Sequence, residues 1–255
     1  MADFDNRVLR TADTAVGIDA GLRAFMVRVY NYMFIGLVIT GLTALGTFSL
    51  AFTTDPANAV ASLGNGIMVT QLGATLFGSP LRWVVMLAPL GMVLVLSFGI
   101  NRLSAATAQL LFWVYSALMG ISLSTIFVLY TGASITQVFF IAAATFGAMS
   151  LYGYTTKRDL TGWGSFLFMG LIGIIIASVV GFFVQSSALQ FVISVAGVLI
   201  FTGLTAYDTQ KIKEIYYVGD DGTVTGRKAI MGALNLYLDF INLFLMLLRL
   251  MGNRR

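Results

Sequence analysis

The stretch Gly170-Leu-Ile-Gly-Ile-Ile-Ile-Ala-Ser-Val-Val-Gly-Phe-Phe183 decides the class of fold. It carries no charge, and it does not alternate as a transmembrane strand of about ten residues does. It lies within the run 163–184, long enough to meet the roughly 20 apolar residues a helix needs to cross a hydrocarbon core of about 30 Å. Working outward, six more such runs cover 30–52, 82–100, 108–130, 134–154, 188–207 and 229–250. The expected fold is therefore an all-α integral membrane protein, a single seven-transmembrane-helix bundle over 30–250. An N-terminal tail (1–29) and a C-terminal tail (251–255) flank it.

Composition agrees with lipid as the main solvent. The 255 residues are 58% hydrophobic and 10% charged, against about 25% charged in a soluble domain, and mean hydropathy is +0.89. There is no Cys and no His. That removes disulfides, thiol nucleophiles, imidazole bases and zinc sites built from them, so the available chemistry rests on carboxylates, hydroxyls, amides, Lys and Arg. The first 29 residues contain no apolar signal-peptide core, so the first span is expected to direct its own insertion.

The positive charges sort by side. Arg7, Arg10, Arg23, Arg28, Arg102, Lys157, Arg158, Lys211, Lys213, Arg227 and Lys228 fall in the N-terminal tail and alternate loops, whereas the other loops hold only Arg82. Lys and Arg mark cytoplasmic loops, which places the N-terminus in the cytoplasm. The same flanking role explains the basic balance without nucleic acid. Arg254 and Arg255 fall on the wrong side of the rule if the seventh segment crosses fully, leaving a re-entrant last segment as the alternative.

Other signals read as packing. Gly173, Ala177 and Gly181 recur every four residues, which lets a neighbouring backbone approach. Pro89 is expected to kink the second helix, and Trp83, Trp113 and Trp163 read as interface anchors or packing groups. Residues 53–80 include weakly apolar pieces such as Leu72-Gly-Ala-Thr-Leu-Phe77 and read as a mobile outside loop, with a cap on the bundle as the alternative. No convincing internal repeat is present; Gly-Leu-Thr-Ala at 41–44 and 203–206 is too short.

The informative residues are charges that the membrane should exclude. Asp208 closes the sixth span, and Asp239 lies ten residues past Ala229, about 15 Å into the seventh at 1.5 Å per residue. Charges at such depth cost at least about 2.5–3.5 kcal/mol and face protein or water. Asn235, Asp239, Asn242 and Arg249 share one face of the seventh helix, and Thr202, Thr205 and Asp208 recur every three residues on the sixth. Antiparallel neighbours would bring the two carboxylates together. Two carboxylates in low dielectric do not both ionise easily, so the pair is expected to share a proton and titrate as a unit. Ionised, it offers hard oxygen ligands suited to Ca²⁺ or a related cation. Arg102 at the end of the second helix is a candidate latch onto an ionised carboxylate. The bland alternative is a polar pin between helices.

Ala206-Tyr-Asp-Thr-Gln-Lys-Ile-Lys213 and Leu234-Asn-Leu-Tyr-Leu-Asp-Phe-Ile-Asn-Leu-Phe244, continuing to Leu247-Leu-Arg-Leu250, resemble the signature segments of the transmembrane Bax inhibitor motif (Bax inhibitor-1) family. The resemblance runs from about Arg23 to the C-terminus. It implies a central seventh helix and a pH-sensitive calcium leak sensed by the sixth- and seventh-helix aspartates, here Asp208 and Asp239. It also implies that Arg102 matches the family's latching arginine, by its ungapped distance to Gly120-Ile121. Where a bacterial relative carries an acid in the second helix, this chain has Gly91, so that acid's role does not transfer.

The length of 53–80 resembles the proteobacterial inner-membrane branch, which includes a modulator of a membrane-bound AAA protease. That supplies the alternative function, a non-conducting regulator binding such a partner through residues 1–28. An intramembrane aspartyl protease is disfavoured because Leu236-Tyr-Leu-Asp239 is not Gly-x-Gly-Asp and no Pro-Ala-Leu segment follows. A Ser–His rhomboid is excluded by the absence of His. No enzyme and no cofactor are expected; the partners are the bilayer and cations, with Ca²⁺ bound weakly or in transit.

Overall fold

The computed structural model describes residues 2–63, 66–184 and 186–255, with side chains described outside 2–19 and 182. Seven long helices dominate it: α1 (Ala2–Ala51), α2 (Leu81–Gly99), α3 (Ala105–Leu123), α4 (Gly132–Thr155), α5 (Thr161–Val184), α6 (Ser187–Glu214) and α7 (Gly222–Met251). All seven contain a stretch long and apolar enough to cross a membrane.

Helix ends follow local capping chemistry. Ser104 accepts from Thr107 N at 3.1 Å to start α3, Asp221 from Val224 N at 2.7 Å to start α7, and Ser186 from Leu189 N at 3.3 Å to start α6. Before α5, Asp159 accepts from Thr161 N at 2.8 Å, and those Thr161 bonds hold its exposed carboxyl below the usual aspartate range. Lys228 pairs with Asp220 and donates to the Ile215 carbonyl, tying down the α6–α7 connection.

The bundle is built around α7. Its most apolar stretch is 72% buried, against 17–33% for the other six spans, which expose a face to lipid. It packs on α1, α3, α4 and α6, while α2 leans on α3 and α5 on α6. Helices in lipid gain little from hiding apolar surface, because the acyl chains are as apolar as leucine; close approach and hydrogen bonds hold them together instead. A Cβ on Gly120 of α3 would run into Thr43 Oγ1 and the Thr40 carbonyl, and one on Gly153 of α4 would run into the Ala206 carbonyl. Hydroxyls link the same helices: Tyr30 to Ser150 at 2.6 Å, and Ser150 to Thr209 at 3.0 Å. Around Tyr237, the rings of Phe112 and Tyr115 stand edge-on with centroids 5.8 and 5.3 Å away.

Three expectations change. The tail expected over 1–29 is helical from Ala2 and continuous with the first span, and Phe25, Met26 and Val29 are buried in the core. The side chains of Arg7 and Arg10 in that segment lie outside the described residues. Residues 53–80 form an ordered cap rather than a mobile loop. Three two-residue strands, β1 (Phe52–Thr53), β2 (Ala61–Ser62) and β3 (Met68–Val69), pair antiparallel in the order β1-β3-β2. Phe52, Ile67 and Val69 then bury against Val128 beyond α3. Gly64 and Asn65 of this segment, and Gln185 of the α5–α6 connection, lie outside the described residues.

Gly173 has nothing within 4 Å of its would-be Cβ, and of the two stripe glycines only Gly181 approaches α6, near Leu189 and Ile193, so the every-fourth-residue stripe does not form the main packing face of α5. That face carries Gly164, Leu167, Gly170 and Ile174 instead, with Gly164 set against Tyr207 and Gly170 against Ile200. The seventh helix, α7, is continuous over Gly222–Met251 and long and apolar enough to cross a membrane. The tail after it pairs with the α3–α4 connection: Thr131 N donates to the Asn253 carbonyl at 3.2 Å and Arg255 N to the Leu129 carbonyl at 3.0 Å.

Candidate functional site

Because neither α2 nor α5 covers α7, a crevice remains between them. It holds a cavity of about 1130 Å³ with α7 as its floor. The lining includes Trp83 and Met86 of α2, and on α5 it extends from Gly164 to Phe183. Those two are nineteen residues apart, about 29 Å along a helix, comparable to the hydrocarbon core of about 30 Å.

The polar side chains of the cavity cluster on α6 and α7. Asp208, Lys211, Asn235, Asp239 and Asn242 all line it, so the polar stripe read on the seventh helix faces the one side of α7 that other helices leave open. Asp239 is buried at 4% exposure, and Asp208 is half-buried. Their carboxyl groups lie within hydrogen-bonding reach of each other. Two carboxyls bond to one another only when a proton stands between them. Asp239 Oδ2 is buried with no hydrogen-bond partner among the described residues, an oxygen left for a proton, a water or an ion. Asn242 donates to the Leu238 carbonyl at 2.8 Å, which leaves its amide oxygen for the cavity.

The structure gathers only part of the constellation expected from sequence. Asp208, Asp239, Asn235 and Asn242 meet at one cavity. Thr205 does not join them: it is fully buried, and its hydroxyl donates at 2.8 Å to the Phe201 carbonyl of its own helix. Arg102 is exposed in the turn Ile100–Arg102 after α2, away from the cavity lining, and it forms no ion pair among the described residues. The cation whose charge acts on Asp208 is Lys211, one helical turn further along α6, with its ammonium 5.6 Å from the Tyr207 ring centroid. The signal for Lys211 was its three-residue spacing from Asp208. Its neighbourhood of other basic residues made it look like a loop charge.

Among the described residues no group of three or more acidic side chains converges on a metal position. Two carboxylates and two amides reach the lower bound of the six to eight oxygens that Ca²⁺ takes only if each carboxylate binds through both of its oxygens. A cation here would keep much of its water.

Residues 22–255 match the family described as inhibitors of apoptosis-promoting Bax1. The chain belongs to the Bax inhibitor-1 family. Bax inhibitor-1 relatives of the same length include the Rickettsia prowazekii protein RP147, 46% identical over the whole of both chains. The Escherichia coli inner membrane protein YbhL is 47% identical across 96% of this chain and 97% of its own. A Borreliella burgdorferi protein is 44% identical over 91% and 92%. For a Bax inhibitor-1 protein the match covers all seven spans, including both aspartate segments.

Proposed function

We propose that this protein is a pH-sensitive leak path for Ca²⁺ or a related cation in the bacterial inner membrane, with its N-terminus in the cytoplasm. The observation that carries this reading is that Asp208 and Asp239 line one cavity about as long as the bilayer core. The pair has three charge states. Doubly ionised, it holds a basic side chain and the path is closed; Arg102, swung in from the end of α2, is the proposed latch, with Lys211 already at hand. Singly protonated, it releases that side chain yet keeps one negative charge, which attracts a cation. Doubly protonated, it attracts neither. Flux therefore rises as pH falls from alkaline toward mildly acidic values and declines again in stronger acid.

The test is Ca²⁺ flux into proteoliposomes loaded with a calcium dye, across pH, for wild type, Asp208→Asn and Asp239→Asn. Wild type is expected to conduct with the profile above, and each Asn variant to lose the alkaline closing limb. A wild type that passes no ion at any pH overturns the leak and leaves the non-conducting regulator of a membrane-bound AAA protease. Conduction with an unchanged pH profile in both variants overturns the sensor assignment alone.

A further inference from the structure

On the face opposite the Lys- and Arg-rich one, a cavity of about 180 Å³ lies between the start of α6 and the end of α7. Ser187, Gln190 and Ser194 line it from α6, joined by Arg249 of α7 and Arg254 of the tail. Neither guanidinium has an ion-pair partner among the described residues, where the one salt bridge, Lys228–Asp220, is at the other end of α7. Arg249 taken alone answers the negative end of its own helix.

Arg254 has no such reason to be there. It lies beyond α7, and the tail is folded back to reach this place. Arg254 pairs with Tyr130 in an antiparallel bridge, and Asn253 N donates to Ser134 Oγ at 2.9 Å. That pairing sets a second guanidinium over the same pocket.

Two guanidinium forks with no carboxylate between them match the geometry of phosphate oxygens. Gln190 and the Ser187 hydroxyl add neutral donors. Ser194, 1% exposed, gives its hydroxyl proton to the Gln190 carbonyl at 2.8 Å and so serves as an acceptor at the floor. At about 30 Å³ per water the space equals about six waters, room for a phosphate and its ester carbons. The rim is apolar: Phe191 is 60% exposed and Leu250 36%, at the end of a span where headgroups meet acyl chains.

We propose that this pocket binds the phosphodiester headgroup of an anionic phospholipid in the leaflet on that face. Arg254, one of the two tail arginines that oppose the charge sorting of the other loops, is then a lipid ligand beside Arg249 rather than a misplaced topology signal.

The test uses the purified full chain in maltoside micelles, its thermal midpoint read with added phosphatidylglycerol, phosphatidylcholine or inorganic phosphate. Phosphatidylglycerol is expected to raise the midpoint by about 2–4 °C, roughly one kcal/mol of linkage for a chain of this size, and the other two by much less. The double variant Arg249→Gln, Arg254→Gln loses the rise. Lys157→Gln with Arg158→Gln, which removes two charges elsewhere, keeps it. A rise that survives the double variant, or that the control pair loses equally, overturns the proposal. An equal rise with inorganic phosphate overturns the lipid assignment in favour of an adventitious anion. If the double variant does not fold, Arg254→Gln alone, outside every helix, decides: an undiminished rise counts against the site.

Discussion

Tyr237 Oη lies 2.7 Å from Thr40 Oγ1, joining the last span to the first across 197 residues of sequence. Thr40 has one hydroxyl proton, and its oxygen faces both the Gly36 and Ser116 carbonyls at 2.9 Å, so Tyr237 is the donor to Thr40. One polar junction thus ties α1, α3 and α7. Tyr237→Phe removes that bond with little change of shape and is expected to cost about 0.5–1.5 kcal/mol, a drop of a few degrees in the thermal midpoint. Thr40→Val should cost at least as much. Because the two share one bond, the double variant should lose less than the sum; strict additivity would show that the pair is not coupled.

The glycine contacts predict opposite outcomes for two equally small changes. Gly153→Ala places a methyl group against the backbone carbonyl of Ala206, which has no rotamer by which to yield. It is expected to force α4 and α6 apart at about 1–3 kcal/mol, visible as a lowered midpoint or lost yield. Gly173→Ala meets open space and should be neutral or slightly stabilising through helix propensity. If the two behave alike, the assignment of the α5 packing face is wrong.

Within the proposed leak, Arg102 and Lys211 are competing candidates for the charge that holds the ionised pair. Arg102→Gln should raise flux several-fold at alkaline pH and leave the acidic arm unchanged. Lys211→Gln, already beside Asp208 in the cavity, should have the smaller effect. The reverse ranking would make Lys211 the latch.

Asp159 gives a pH dependence outside the membrane. Its carboxyl is held below the ordinary aspartate range by Thr161, first through the side chain and then through the backbone. A depressed folded-state value means stabilisation that is complete above the unfolded value and lost as pH falls through the folded one. Asp159→Asn should therefore lower the thermal midpoint slightly near neutral pH, with the difference closing only in strong acid. A difference that grows toward acid would contradict the assigned bond.

Much of the site could be read before the fold was seen. Asp208 and Asp239 stood out because a charge in a span is costly, and Asn235, Asp239 and Asn242 share a face by simple helical spacing. Thr205 was misassigned because a threonine in a helix can satisfy its hydroxyl on the carbonyl four residues back, and spacing cannot tell that choice from a contact across helices. Arg102 presented a different difficulty. A long side chain at a helix end reaches several places, and sequence distance does not choose among them. The cap over 53–80 was only the second reading because its strands are two residues long and pack against Val128, far along the chain.

The sequence by itself determined seven spans, the sorting of most positive charge to one face, and a carboxylate pair buried where charge is expensive. Each of these follows from the cost of placing a residue type in hydrocarbon, which is a local property of the chain. Tertiary structure alone decided that α7 is enclosed by α1, α3, α4 and α6 and left open between α2 and α5, so that its polar stripe lines a cavity. It also decided that the tail folds back to set Arg254 beside Arg249. The reason is that lipid and leucine are equally apolar: hydropathy places a helix in the bilayer but does not say which of its faces meets another helix. Shape at residues such as Gly153 and hydrogen bonds such as Tyr237 to Thr40 make that choice.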